Sequence, residues 1–272
     1  MVQGTMTDKT THAADPIGAI DTAAVRGDIE RIGYAIVPGI VEESALAEMR
    51  EFWLAEFSKP CPRAPMVWGP YLGEANGTLH DDGPTLSLYR SFDYLWNKPF
   101  HVLTRQISLA LNRVRNELIG EQDTYGTLLD SERYGIYVTT SYYPCGSGWM
   151  HMHPDTAGDR KHWHFILPLT FKGEDYESGG LILMDRNGER VPMDDLATPG
   201  CVIFYDGTLE HGVEMIEGAG DHRTGRLQMF AIPTYFDLPT SNRRQMAAIP
   251  SAQFLRAKLS RLKWNLLKGS TG

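Results

Sequence analysis

Cysteine is scarce in this sequence, long apolar runs are missing and positive charge is outnumbered, and each of these removes a class of protein. Cys61, Cys145 and Cys201 are its three cysteines. They are an odd number, widely separated and without a C-x-x-C pair. They therefore supply neither a disulfide framework nor a zinc knuckle, and they suit a reducing cytoplasm. No stretch approaches the ~20 apolar residues of a membrane span. Residues 1–20 also lack an apolar run and read as a flexible tail, not a secretion signal. With 34 acidic against 26 basic side chains, a net charge of −8 and a pI of about 5.6, a nucleic-acid partner is not favoured. What is present is ordinary for a globular protein: 42% hydrophobic and 22% charged residues in a chain of 272, enough for one large domain or two small ones with a sizeable core, and a single domain over 21–272 is expected.

The hydrophobic period divides the chain. Asp21 to Ile32 reads as a helix, with Val25, Ile29 and Ile32 on one face and Gly33 ending it. Tyr34–Val37 is a short strand. Residues 42–57 form a second helix with Leu46, Met49, Phe52, Trp53 and Phe57 as its apolar stripe. A third runs from Pro99 to Ile119, proline suiting its first turn and Gly120 its end. From Tyr134 onward the period becomes two. Strands are expected at 134–143, 162–170, 180–184, 201–205, 211–216 and 226–235, separated by turn residues such as Asn187-Gly188 and Asp206-Gly207. Short strands without intervening helices predict a mainly β protein, an antiparallel sandwich or barrel, with the preceding helices bracing one face. Between the second and third helices, residues 59–98 mix proline and glycine with Trp68, Tyr71, Tyr89 and Trp96. This stretch reads as a long irregular loop, a candidate lid or substrate wall. The plainer alternative is an excursion whose aromatics pack down on the domain.

The chemistry concentrates in Trp149-Met-His-Met-His-Pro-Asp155. Ligands at i and i+2 leave a strand end on the same side, so His153 and Asp155 can take adjacent corners of a coordination shell. His211 lies downstream, at the start of another strand. Two imidazoles and one carboxylate on one face, with the remaining positions open, suit a non-haem Fe(II) centre that activates oxygen. With nine histidines in the chain, an isolated H-x-D carries little weight, and its context decides. On the last strand, Arg226 alternates with Gln228 on one face, with Leu227 and Met229 on the other. The guanidinium is a planar fork that fits a carboxylate.

This order, H-x-D, then His211, then Arg226 on the last strand, resembles that of the Fe(II) and 2-oxoglutarate-dependent oxygenases. The Gly33-Tyr-Ala-Ile-Val-Pro-Gly39 entry before an amphipathic helix is similar to the phytanoyl-CoA dioxygenase-like branch, and Tyr143-Pro-Cys-Gly146 to the family's approach strand. The resemblance spans residues 21–238. It implies a double-stranded β-helix, the jelly-roll or cupin-like barrel, with His153, Asp155 and His211 as iron ligands. It also implies that 2-oxoglutarate is held at its far carboxylate by Arg226, beside Gln228. Oxygen would then convert 2-oxoglutarate to succinate and carbon dioxide while a small-molecule substrate is hydroxylated. The same iron centre can also desaturate, cyclise or epoxidise. Because Asp155 is present, a halogenase, whose equivalent position is Gly or Ala, is disfavoured.

Other residues compete for these roles. His151 and His153 form H-x-H, as in cupins, which need no 2-oxoglutarate; His162 and His164 form a second. Asp at i+2 favours His153 as ligand and leaves His151 to support the ligands from behind or to face substrate. Arg223 competes with Arg226 but falls in a turn. Tyr137, Thr139 and Tyr143 share a strand face and are candidates for the near end of 2-oxoglutarate, against ordinary strand packing. Trp68, Tyr71, Tyr89 and Arg90 are candidates for the substrate side, Arg90 for an anionic group. A jelly-roll that only binds a ligand is a further alternative. Residues 251–268 read as a basic amphipathic helix with Leu255, Leu259, Leu262 and Leu266 on one side, docked on the domain or on a second subunit as a homodimer contact, the alternative being a membrane surface or a phosphate-rich partner.

Overall fold

Helix α1, Thr22–Ile32, starts where Asp21 can cap it: the carboxylate accepts from the amides of Ala23 and Ala24 at 3.1 and 3.0 Å. Gly33, at φ 97°, ends it and leads straight into β1, Tyr34–Val37. Helix α2, Glu43–Phe57, buries Leu46, Met49, Trp53 and Phe57. Helix α3, Val102–Ile119, begins three residues later than Pro99 suggests. There the amide of Phe100 donates to Asp93 Oδ1 at 3.0 Å, while Asp93 is also clamped by Arg105, so the chain is still turning at Pro99. The buried face of α3 is less apolar than its leucines imply. Asn112 and Asn116 lie in it and both donate to the carbonyl of Tyr125, at 2.9 and 2.6 Å. The computed structural model describes residues 16–63, 76–94, 97–127, 134–155, 161–219 and 224–235. Trp68, Tyr71, Trp96, Arg223, the Tyr137 side chain, residues 1–15 and the segment 251–268 lie outside them.

The remaining strands are β2 (Gly77–Gly83), β3 (Leu86–Tyr94), β4 (Tyr134–Pro144), β5 (Trp149–His153), β6 (Trp163–Pro168), β7 (Ser178–Met184), β8 (Arg190–Pro192), β9 (Val202–Asp206), β10 (His211–Glu217) and β11 (Gly225–Tyr235). Their order is β1-β9-β6-β11-β4-β3-β5-β10-β7-β8, with β2 paired to β3 at the side and every pairing antiparallel. The sheet curls at the β3–β5 junction, so that β5-β10-β7-β8 face the longer run as the second wall of a jelly roll.

Alternation along each strand makes two cores. Val202, Phe204, Phe165, Leu167, Leu227 and Met229 point outward and pack under the helices against Ile29, Met49, Trp53, Ile107 and Leu111. Their neighbours Ile203, Tyr205, Ile166 and Tyr143 point inward and meet Leu181, Leu183 and Val213 of the opposite wall. The helices thus brace one face, as the order of periods along the chain predicts. No helix among the described residues is long and apolar enough to cross a membrane.

One expectation is corrected. Within 59–98, residues 77–94 are a β-hairpin and not irregular loop. The period is hard to read there because β2 is a polar strand at the side of the sheet, with Leu79 its one large apolar residue, and β3 carries Arg90 at an inward position. A strand that pairs on one side and meets solvent needs no apolar alternation.

Candidate metal centre

β5 and β10 are neighbours, and their register sets His153 directly opposite His211. The two imidazoles lie side by side with ring centroids 4.7 Å apart. Asp155 follows two residues after His153, where its amide donates to the carbonyl of Gly207 at 2.7 Å and turns the carboxylate back toward the rings. His211 Nε2 is 3.6 Å from Asp155 Oδ2 and His153 Nε2 is 3.9 Å from Asp155 Oδ1. One ligand atom from each of the three lies within 4.8 Å of the others.

Two backbone carbonyls select the tautomers. His153 Nδ1 lies 2.9 Å from the carbonyl oxygen of His151, and His211 Nδ1 lies 2.9 Å from that of Leu209. A carbonyl only accepts, so each Nδ1 carries the proton and each Nε2 presents its lone pair to the shared space. Burial pushes the His211 imidazole down to about 4 despite the nearby Asp155, so His211 is neutral at ordinary pH, as a ligand must be. Burial alone would raise the carboxyl of Asp155. The hydrogen bond from His164 and the neighbouring imidazoles outweigh it and hold the group well below the usual carboxylate range.

His164 reaches this carboxylate from β6, its Nε2 donating to Asp155 Oδ2 at 2.8 Å. It is seated on Gly207, where an added Cβ would fall 2.5 Å from Cδ2 and 2.6 Å from Nε2 of its ring. His162 stands further off, 4.0 Å from the same oxygen, and burial pushes it down to about 3. His162, His164 and Asp155 also form a group whose ligand atoms lie within 4.8 Å. The two groups differ in one respect: His164 spends its Nε2 on Asp155, whereas His153 and His211 keep theirs free. His151 belongs to neither group. It is exposed, and its Nδ1 bonds the carbonyl of Thr85 at 3.0 Å.

Tyr205 connects this cluster to the barrel interior. Its ring lies 5.2 Å from that of His211, and its buried phenol has Asp155, Tyr143 and Arg226 as electrostatic neighbours. Arg226 is 2% exposed and points inward. Its Nε and Nη2 donate to Asp194 Oδ2 and Oδ1 at 2.6 and 3.0 Å, its Nη1 donates to Gln228 Oε1 at 2.5 Å, and its guanidinium carbon is 5.6 Å from the Tyr143 ring centroid.

No family profile and no curated protein matches the sequence. Among solved structures, the non-heme alpha-ketoglutarate-dependent epimerase SnoN from nogalamycin biosynthesis is similar over 78% of this chain and 80% of its own, with 12% identity and a TM-score of 0.52. AviO1 from Streptomyces viridochromogenes Tue57 is similar over 82% of this chain and 98% of its own, with 16% identity and a TM-score of 0.51. This chain has their fold.

Within that double-stranded β-helix the other expected residues separate. Tyr143 faces inward beside Arg226. Thr139 faces the same way, but its hydroxyl is committed to the carbonyl of Ser91 at 2.6 Å. Arg90, on β3 opposite Ser141, is buried on the inner face and paired to Asp81 at 3.6 Å. Tyr89 lies on the opposite face. It stacks on His80 with centroids 4.3 Å apart and packs toward Phe57 and Tyr142 under α2, away from Arg226. Sequence reasoning did not single out Asp194, Asp81, Tyr205 or Gly207. An aspartate in Met193-Asp-Asp195 carries no local sign that it meets an arginine 32 residues away.

Proposed function

We propose that this chain is an Fe(II) and 2-oxoglutarate-dependent oxygenase that hydroxylates a small molecule. The observation that carries the reading is the convergence of His153, Asp155 and His211, with both Nε2 lone pairs directed into one space by backbone carbonyls. Two neutral imidazoles and one carboxylate are the donor set suited to Fe(II) with open positions. Bound there, iron and 2-oxoglutarate would supply the oxidising chemistry. The chain's residues do the rest: His164 fixes the second oxygen of Asp155, Tyr205 and the inner apolar layer limit water, and Arg226 with Gln228 holds the far carboxylate of 2-oxoglutarate, Tyr143 lining the same face. Substrate contact is assigned to Arg90, to His151 at the rim and to the segment carrying Trp68 and Tyr71. Tyr137 stays assigned to the near end of the cosubstrate. The phytanoyl-CoA dioxygenase-like branch rests on the Gly33–Gly39 entry, and a cytoplasmic setting on three free cysteines.

The test is oxygen-dependent turnover of 2-oxoglutarate by Fe(II)-loaded protein across a panel of small metabolites. Succinate and carbon dioxide are expected in equal amounts. Substrate oxidation without 2-oxoglutarate consumption would instead support a cupin-type enzyme. A second expectation concerns the carboxylate's support. His164→Ala removes its one donor from β6, so Co(II) affinity measured by calorimetry falls by about 10–100-fold. His162→Ala leaves the affinity close to wild type. The opposite pattern, loss with His162→Ala and not with His153→Ala, would move the metal to the His162–His164 side.

A further inference from the structure

Arg226 of the proposed cosubstrate pocket arrives already paired to a carboxylate, and the pairing leaves a specific part of it over. A guanidinium has five N–H bonds: one on Nε and two on each terminal nitrogen. Asp194 takes Nε–H and one on Nη2, and Gln228 takes one on Nη1. One N–H then remains on each of Nη1 and Nη2. With Asp194 on the side edge, the one left on Nη2 lies at the end of the fork, the edge that a carboxylate matches.

Asp194 is itself held so firmly that it cannot trade places with a ligand. Its Oδ2 accepts from the Tyr176 hydroxyl at 2.7 Å and from the Leu181 amide at 3.0 Å. It lies against the bare backbone of Gly180, where φ is 114° and a Cβ would fall 2.3 Å from Oδ2. Asp194, Tyr176 and Arg226 are 7%, 3% and 2% exposed. Asp194 thus combines a backbone anchor, a phenol anchor and a two-point grip on the arginine.

We propose that Asp194 is the positioning residue of the cosubstrate site: by gripping the side edge of Arg226 from a fixed seat, it aims the end edge of the guanidinium at the far carboxylate of the 2-oxo acid. This rests on the reading of Arg226 as the carboxylate anchor. Because Asp194 already balances part of the arginine's charge, the site selects a dicarboxylate by the direction of the guanidinium's end edge as well as by attraction.

Asp194→Asn separates the grip from the seat. The amide oxygen can stand where Oδ2 stands, keeping the bonds from Tyr176, Leu181 and Nε, while its NH2 group opposes Nη2 and unseats it. The experiment is calorimetric binding of 2-oxoglutarate, and of 2-oxobutyrate, which lacks the far carboxylate, to the full chain loaded with Mn(II). In Asp194→Asn, affinity for 2-oxoglutarate falls about tenfold or more, and affinity for 2-oxobutyrate is unchanged. A merely structural role would lower both together. Tyr176→Phe, which touches the seat and not the grip, keeps the wild-type ratio of the two affinities. Asp194→Glu, which displaces the carboxylate by one methylene, gives the same selective fall should the amide variant not fold. The double variant Arg226→Met/Asp194→Asn, with no buried charge left unpaired, separates the two readings. If it keeps the wild-type preference for 2-oxoglutarate, Arg226 is not the anchor. If it loses that preference while Asp194→Asn keeps it, Arg226 stands and the positioning role of Asp194 is overturned. Tighter 2-oxoglutarate binding in Asp194→Asn would also overturn it, by showing that Asp194 competes with the cosubstrate.

Discussion

Alanine at His153, Asp155 or His211 is expected to reduce Fe(II)-dependent 2-oxoglutarate consumption to the level of metal-free protein. Each variant removes one of the three proposed ligands from a site whose remaining positions must stay open for the reaction, so the ion is held more weakly and in the wrong geometry. The folds should survive. His153 and Asp155 are half-buried at a strand end, so thermal unfolding shifts little, and it shifts more for His211, which is 3% exposed. His151→Ala provides the contrast. Its ring is exposed and tied to the Thr85 carbonyl, outside both metal-ligand groups, so turnover persists. Activity surviving in His153→Ala and vanishing in His151→Ala would sink the assignment in favour of the cupin arrangement.

Arg226→Ala should produce the next largest effect, on two separate measurements. 2-Oxoglutarate binding to the Mn(II)-loaded protein weakens by ~2–4 kcal/mol, the range for breaking a desolvated charge pair. Lysine rescues only part of it, because a point charge cannot present two parallel N–H bonds. Chemical denaturation reports a further loss of ~3–5 kcal/mol in stability, because Asp194 is left buried without its counter-charge. Arg226→Ala/Asp194→Ala should regain much of that stability while binding 2-oxoglutarate no better. Cosubstrate affinity equal to wild type in Arg226→Ala would refute the assignment and return attention to Arg223.

Why some of this is legible along the chain and some is not follows from the range of the interactions. The ends of α1 are decided by neighbours: Asp21 reaches amides two and three residues on, and Gly33 takes a backbone conformation that other residues resist. Strands β6, β9 and β11 alternate because one face must meet the helices and the other the opposite wall, and that requirement is written residue by residue. The same alternation places Arg226 and Gln228 on one face and Leu227 and Met229 on the other. The hairpin at 77–94 escaped because β2 is a polar strand at the side of the sheet and because β3 places polar residues, Arg90, Ser91 and Asp93, at buried positions.

Read along the chain, the order of helices and then strands is plain, and so are the residue types able to hold a metal: the spacing of His153 and Asp155 on a strand end is a local fact. Which histidines converge depends on how distant strands pair. β5 and β10 are far apart in sequence, and their register, not either motif, sets His211 against His153, while the pairing of β6 with β9 and the bare backbone of Gly207 bring His164 to Asp155. The tertiary structure also decided the partner of Arg226. Asp194 lies on a different turn of the chain, and the pairing exists because Gly180 leaves room for a carboxylate where any side chain would collide. Close approaches of that kind depend on two distant segments at once, so neither segment carries their mark.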